Sequence, residues 1–466
     1  MDAVGTRKQA EVSRDQRGYT LDSRVSAVTD EPPEAKPEVA HADVVVVGGG
    51  PAGVVLALLL ARKGVRVTLL EAQGDFAREF RGDTLHPATM ELMDQIGLAE
   101  RLLEIEHVKA REFSLHTPRG TFTVGDYGRL QRTRFPYLVL MPQARFLEFL
   151  VAEAKQYPNF KIGMRSRVVG LIEEDGRVRG VRYRNADGER REIRTELVVG
   201  TDGRFSKVRQ LAGIELDKFG VGQDMLWFKL PRRPKDPSDA DAGLYFGPGH
   251  YLALLKREEH WQAGYSIPKD GYKEAREAGV EPIKTFIREN APSWLHDRLD
   301  ELRNWEDIRL LSVQIARVKR WYGPGLLLIG DAAHVTSPAG GIGISLAIQD
   351  AVAAANKLAE PLQAGRLSTK DLAAVQRRRG WQILLDQRMQ VSGEKGFVKV
   401  LDNGGTWEPS LAARLALRIP VLRDLPVRLN AFGFRTERLK PELVEPSPSP
   451  TGSRAARKLG LRNDGR

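Results

Sequence analysis

The chain contains no cysteine in its 466 residues. Disulfides, thiolate metal sites, iron–sulfur clusters and cysteine nucleophiles are thereby excluded, and a reducing cytoplasm suits the composition. Aromatic residues are sparse at 7%. No Lys/Arg run is interleaved with them, which argues against nucleic acid as a partner. The opening residues, MDAVGTRKQAEVSRDQRGYT, lack the apolar core of a secretory signal. Uninterrupted apolar runs of membrane-spanning length are also missing. The nearest approach, Val44 to Ala61, is broken by Gly48-Gly49-Gly50-Pro51 and reads as a buried strand followed by a buried helix. Asp331 and His334 lie three apart with no third ligand in view, so no metal is expected.

What is present is a moderately basic chain with 72 Lys and Arg against 61 Asp and Glu, net +11. That balance suits an anionic small ligand or an anionic membrane surface. The length allows two or three domains. Residues 1–41 alternate charge signs and become Pro-rich, and read as a flexible arm. The Pro/Ser-rich, then basic, tail 441–466 reads the same way. Between them strands alternate with helices. Asp43–Gly48 and Val65–Leu70 read as strands, and Pro51–Lys63, Gln143–Gln156, Ile344–Pro361 and about Lys370–Val391 as helices. Arg167–Arg194, with turns at Asp175-Gly176 and Asp187-Gly188, reads as a meander, and Glu196–Gly200 as a separate strand. From Gly213 to Arg320 aromatic-rich strands predict a mostly antiparallel second sheet.

The first chemical signal is G-x-G-x-x-G at Gly48, Gly50 and Gly53, after a strand and before a helix. Gly48 permits the tight turn, Gly50 lets a pyrophosphate approach the backbone, and Gly53 lets helix and strand pack closely. Pro51 and Ala52 open the helix, whose positive end would face the phosphates. Glu71 closes the second strand, where an acid accepts hydrogen bonds from ribose hydroxyls and repels a 2′-phosphate. These residues predict a dinucleotide without choosing which one.

Two later segments choose. One is Gly200-Thr201-Asp202-Gly203-Arg204, continuing to Arg209. The other is Gly330-Asp331-Ala332-Ala333-His334, followed by Pro338-Ala339-Gly340-Gly341-Ile342-Gly343-Ile344. Taken alone, Asp202 suits a β-turn and Asp331 a helix N-cap. With the first motif, in this order from about Asp43 to Pro361, the chain resembles the single-component FAD-dependent monooxygenases of the p-hydroxybenzoate hydroxylase type. The resemblance implies an α/β fold: a Rossmann-like FAD-binding domain with an interleaved, mostly antiparallel substrate domain and a helical C-terminal part. FAD-domain pieces fall at 42–110, 141–212 and 321–400, substrate-domain pieces at 111–140 and 213–320, and the helical part at 401–440. It further implies that Arg81 and Gln143 contact FAD, that Asp202, Gly203 and Arg209 serve the pyrophosphate and the visiting nicotinamide, and that Asp331 accepts a ribityl hydroxyl. Pro338, Gly341, Gly343 and Ile344 are its cofactor-binding positions in this loop, and the backbone N–H groups of Gly340, Gly341 and Gly343 at the helix start would stabilise negative charge on the reduced flavin. The family often carries Asn where this chain has Ser345.

The implied reaction uses NADH or NADPH to reduce FAD and O₂ to form a flavin hydroperoxide, which oxygenates a phenol or other electron-rich aromatic. No second G-x-G-x-x-G turn follows Glu71, so the reductant is read as a visitor and FAD as the resident. Trp227, Tyr245, Phe246, Tyr251 and Gln262 are candidate substrate contacts, each also suited to ordinary sheet packing, and His250 and His260 are candidate bases. Catalytic side chains are not otherwise identified. Trp407–Arg435, apolar with arginines, is expected to pack on the protein's own body, with a peripheral membrane or dimer contact as the alternative, so the chain is a monomer or homodimer. Rival readings are an epoxidase, a lipid- or quinone-type reductase, or a binding protein on a related fold. Halogenation is disfavoured, because Ala263-Gly264-Tyr265-Ser266-Ile267-Pro268 lacks the two tryptophans of related halogenases.

Overall fold

In the computed structural model, residues 39–77, 84–219, 223–237, 242–416 and 418–445 are described. Arg81, most of the N-terminal arm and the tail beyond Glu445 lie outside them. Val44 to Val47 are four β-branched residues in a row, stiff side chains that suit a pleated strand. All four are buried. Consecutive strand residues point to opposite faces, so this strand is covered on both sides.

It runs from Val39 to Val47, starting inside the segment expected to be a flexible arm, because Val39 to Ala42 pair with Glu192 to Thr195. Parallel neighbours are Arg190–Gly200 on one side and Val67–Leu70 on the other, with Leu326–Leu328 and Phe160–Gly163 continuing the parallel set outward. The helix Pro51–Arg62 follows the central strand and is buried at every residue after Pro51. It packs against the helices Gly343–Gln363 and Gln143–Ala154.

The expected break between the meander and the strand at Glu196 does not exist. Arg190–Gly200 is one 11-residue strand. Its first half pairs antiparallel with Arg177–Arg184 and its end pairs parallel with Leu326–Leu328. The polar middle stays extended because Val39–Val47 pairs along its other edge, and the Thr195 hydroxyl donates to Asp43 O at 2.9 Å.

The second sheet has seven strands, in the order Arg309–Leu311, Asp224–Pro231, His260–Ile267, His250–Lys256, Ala242–Gly247, Glu112–Thr117 and Gly120–Asp126. It is antiparallel except where Ala242–Gly247 meets Glu112–Thr117. Strand alternation gives it two distinct faces. Leu226, Phe228, Leu252, Trp261 and Tyr265 pack on Phe286 and Ile287 of the helix Glu281–Asn290. Met225, Trp227 and Ala253 face the other way.

The long helix runs from Thr369 to Asp402, beyond the expected end near Val391. Gly393 and Gly396 weaken helix propensity there, but Phe397 packs edge-on to Tyr251 (centroids 6.0 Å apart) and Leu401 is buried. Tertiary contact outweighs local preference. The C-terminal part is helical at Leu411–Ala416 and Pro420–Phe432. It splits the two readings of this region: Val427 and Ala431 are buried against the protein's own body, while Leu411, Leu415, Val421 and Leu425 are exposed. Pro441–Val444, expected to begin a mobile tail, is a short helix pinned by Arg62 Nη2 donating to Val444 O at 2.7 Å.

Candidate functional site

Three adjacent parallel strands bring the three motifs together. Val39–Val47 ends at the glycine turn, Arg190–Gly200 at Thr201-Asp202-Gly203, and Leu326–Leu328 at Gly330-Asp331. The carboxyl ends of parallel strands are where open α/β sheets bind ligands.

The turn is knitted to its neighbours. The Thr201 hydroxyl lies 2.8 Å from Val47 O and 2.7 Å from Gly48 O. A Cβ at Gly53 would sit 2.0 Å from Gly48 O, so no side chain fits. Gly50 is different: the nearest protein atom to a Cβ there is Thr201 O, 4.0 Å away. The protein itself does not require glycine at this position. The space beside it is open. The helix behind it has no side-chain cap and no acid in its first turn, leaving its positive end to an anion. Glu71 is buried, and its carboxylate accepts from the Gly49 amide and the Gln73 amide, both at 2.8 Å. The acid expected at the ribose therefore also shapes the glycine turn.

Asp202 is drawn into its own loop. It accepts from the Ser206 hydroxyl at 2.5 Å and from the amides of Lys207 and Val208 at 2.6 and 3.0 Å, capping the helix Lys207–Leu211. Gly203 takes φ +79° to make that turn. Arg209 donates to Ala332 O at 3.1 Å and Arg204 O at 2.9 Å, so its guanidinium braces the second motif against the third. Asp331 is half-buried in a short 3-10 turn, Gly330–Ala332, which rests on the first helix: a Cβ at Gly330 would lie 3.3 Å from the Ala52 methyl. Gln143 opens its helix as expected.

Pro338 leads into a loop in which Gly340 and Gly341 both take left-handed φ, +78° and +65°. Gly343 and Ile344 then begin a helix with no side-chain cap and no acid in its first turn. Residues outside the motifs hold this loop. Asn430 Nδ2 donates to Gly340 O at 3.1 Å and its carbonyl accepts from the Tyr127 hydroxyl. His86 Nε2 lies 3.2 Å from Gly341 O. Ser345, where the family often has Asn, is 3.4 Å from Gln349 Nε2.

His86 is fully buried, and burial pushes its imidazole down to about 4 despite carbonyl contacts that favour the charged ring. The neutral ring thus donates from Nε2 to the loop. The sign for stability follows from a folded-state value below the unfolded one. The contribution is complete above about pH 6.5 and falls as pH drops toward 4, by up to about 3 kcal/mol. Urea unfolding of wild type and His86→Asn across this range should show the wild type losing roughly that much more. Parallel pH dependence in the two proteins would contradict the assignment.

Beneath the third motif lies a charge cluster that sequence reading missed. Asp350, fully buried, accepts from His334 Nε2 at 2.6 Å, Arg379 Nε at 2.8 Å and the Gly330 amide at 3.0 Å. Burial alone would raise its carboxyl, but His334 and Arg379 outweigh that and hold it below the usual range. The available signal was an acid amid the apolar run from Leu346 to Ala355. His86 and Asn430 offered none, since nothing local ties them to a loop far away in sequence.

The two-faced sheet sorts the candidate substrate contacts. Trp227, Phe246, Tyr251 and Gln262 share the parity of the Met225 face. Tyr245 belongs to the opposite cluster and stacks on His116. His250 stacks on Tyr265 and meets Phe286 edge-on, so it lies on the face opposite Met225. Gln262 accepts from Arg257 Nε at 3.2 Å. His260 sits at the strand end with Lys229 and Arg257 close by, and burial followed by those two cations pushes it down to about 4. Among the described residues no group of acids and histidines forms a metal site.

The family model described as FAD binding domain matches residues 41–386. The chain is 37% identical over 418 residues to 6-methylpretetramide 4-monooxygenase of Streptomyces rimosus, covering 89% of this chain and 97% of that protein. Its fold is similar to crystal structures of p-nitrophenol 4-monooxygenase PnpA from Pseudomonas putida DLL-E4 (TM-score 0.64, 23% identity, 84% of this chain and 94% of that one) and of the flavin-dependent brominase Bmp2 (TM-score 0.68, 19% identity, 90% and 100%). At those identities the structures speak for the fold alone.

Proposed function

Because this chain belongs to the FAD-dependent monooxygenases of the group-A flavoprotein hydroxylase family, we propose that it hydroxylates a fused polycyclic phenol. FAD, when bound, supplies the redox chemistry: reduction by NAD(P)H and insertion of one oxygen atom from O₂ into an aromatic-type substrate. The polycyclic class is suggested by 6-methylpretetramide, named for the relative that aligns along nearly its whole length. The observation that carries the cofactor's place is the convergence of the three motifs at neighbouring strand ends, with Gly50 left open on the side of an uncapped helix.

In this reading Gly48, Gly50, Pro51, Ala52 and Gly53 receive the pyrophosphate, Glu71 the ribose and Asp331 the ribityl chain. Asp202 and Gly203 act by shaping their loop. Pro338, Gly341, Gly343 and Ile344 face the flavin ring. Gln143 opens a helix beside the cofactor, and a contact from Arg81 rests on the resemblance. The substrate enters between the flavin and the Met225 face of the second sheet. A cytoplasmic location fits a chain without cysteine, and no described helix is long and apolar enough to cross a membrane.

The purified protein is expected to be yellow, and polycyclic phenols should stimulate NAD(P)H oxidation with equal O₂ uptake and a product heavier by one oxygen. A true substrate turned over without O₂ consumption would reject the assignment in favour of a reductase.

A further inference from the structure

Along one face of the long helix Thr369–Asp402, Gln387, Gln390, Glu394 and Phe397 follow at helical spacing. Gln387 is fully occupied: Nε2 donates to Ala316 O and Val335 O at 2.9 and 3.0 Å, and its carbonyl accepts from Arg317 at 3.1 Å. The next two are only half occupied. Gln390 Oε1 accepts from the Ser337 amide at 3.1 Å, while its buried Nε2 has no partner. Glu394 is only 5% exposed, accepts from the Ser337 side chain, and has a buried Oε2 with no partner.

Buried polar atoms are almost always paired, and an orphan donor and an orphan acceptor one helical turn apart call for an explanation. Their surroundings supply one. Ser337 immediately precedes Pro338 of the flavin loop. Phe397, one turn on, packs on Tyr251 of the Met225 face. The Glu394 charge reaches the Tyr251 hydroxyl, which burial first and that charge second push up. Trp227, on the same sheet face, also has a buried Nε1 without a partner. The orphan atoms of Gln390 and Glu394 therefore lie where the flavin loop, the long helix and the second sheet meet.

We propose that Gln390 and Glu394 form the polar end of the substrate pocket and together bind a phenolic hydroxyl beside a carbonyl oxygen. The Gln390 N–H donates to the carbonyl and the Glu394 carboxylate accepts from the hydroxyl. Burial pushes the Glu394 carboxyl up, which suits a group awaiting a hydrogen-bond donor. The inference rests on the aromatic-monooxygenase reading and adds how that enzyme recognises its substrate. A site built to hydrogen-bond a hydroxyl rejects the analogue lacking it, because its own groups are then left unpaired.

The test uses the FAD-loaded enzyme and two probes, salicylanilide, a phenol ortho to an amide carbonyl, and benzanilide, which lacks the hydroxyl. Calorimetric titration should show salicylanilide binding at least about tenfold tighter. Glu394→Gln and Gln390→Leu should each cut that ratio to below about threefold, Glu394→Gln while leaving the flavin spectrum and FAD affinity unchanged. A ratio retained in both variants, or no discrimination in the wild type, overturns the proposal. So does loss of FAD from Glu394→Gln, an isosteric change, because it would assign the residue to cofactor retention. These outcomes leave the oxygen-uptake measurement untouched, so the pocket assignment can fail while the monooxygenase reading stands.

Discussion

A Gly50→Val protein is expected to fold and to leave purification colourless. A Cβ at this position meets only Thr201 O, 4.0 Å away, so the apoprotein should keep its stability. The added methyls would occupy the space through which the pyrophosphate reaches the helix end. Overpacking of that kind costs about 1–3 kcal/mol, or roughly fivefold to more than a hundredfold in FAD affinity, and more if the phosphate cannot seat at all. Gly53→Val is the control with the opposite cause. Its Cβ would lie 2.0 Å from Gly48 O and 2.6 Å from Thr201 Oγ1, so it should destabilise the apoprotein itself. FAD affinity by fluorescence quenching, read beside urea unfolding of each apoprotein, separates the two. Wild-type FAD affinity in Gly50→Val would remove the glycine turn from the cofactor site.

Asp350→Ala should be among the most destabilising single substitutions in the chain. Arg379 is fully buried, and removing Asp350 strips the partner of its Nε while leaving the charge in place. Breaking a buried pair in this way costs about 3–5 kcal/mol. Gln382 Oε1, 2.5 Å from Arg379 Nη1, and Glu437, 3.9 Å away, remain and favour the lower part of that range. The same substitution frees the Gly330 amide and His334, so the Asp331 turn loses its support and FAD should be held more weakly. Asp350→Asn keeps the shape and one acceptor, and should cost less. Urea unfolding and FAD retention measured together decide the matter. A loss under about 1 kcal/mol would mean that the cluster does not hold the turn.

Much of the fold was legible because its signals are local. A β-branched run, a G-x-G-x-x-G turn, an apolar helix and a terminal acid are set by neighbours in sequence, and the structure has them at Val44–Val47, Gly48–Gly53, Pro51–Arg62 and Glu71. Where local signals weaken, boundaries moved. Arg194 to Glu196 are polar, yet they stay in one strand because the neighbouring strand pairs along them. Gly393 and Gly396 suggest a helix end, yet the helix continues because Phe397 packs on Tyr251 of the second sheet and Leu401 is buried. That extension carries Glu394 to the Ser337 side chain, beyond the end expected near Val391.

The sequence by itself determined the cofactor class. Three motifs of fixed internal spacing each report a turn at the end of a strand, and such turns depend on residue type at neighbouring positions. Its aromatic-rich strands between Gly213 and Arg320 also announced a second, mostly antiparallel sheet. Only the tertiary structure decided which aromatics share the Met225 face and which the opposite one, since a one-residue change of parity moves a side chain to the other face. Only it brought His86 and Asn430 to the two left-handed glycines, Arg209 from one motif to the next, and Asp350 under Gly330. Those contacts join residues far apart in the chain, and no local preference specifies them. They exist because the packed strands and helices leave buried donors and acceptors that need partners.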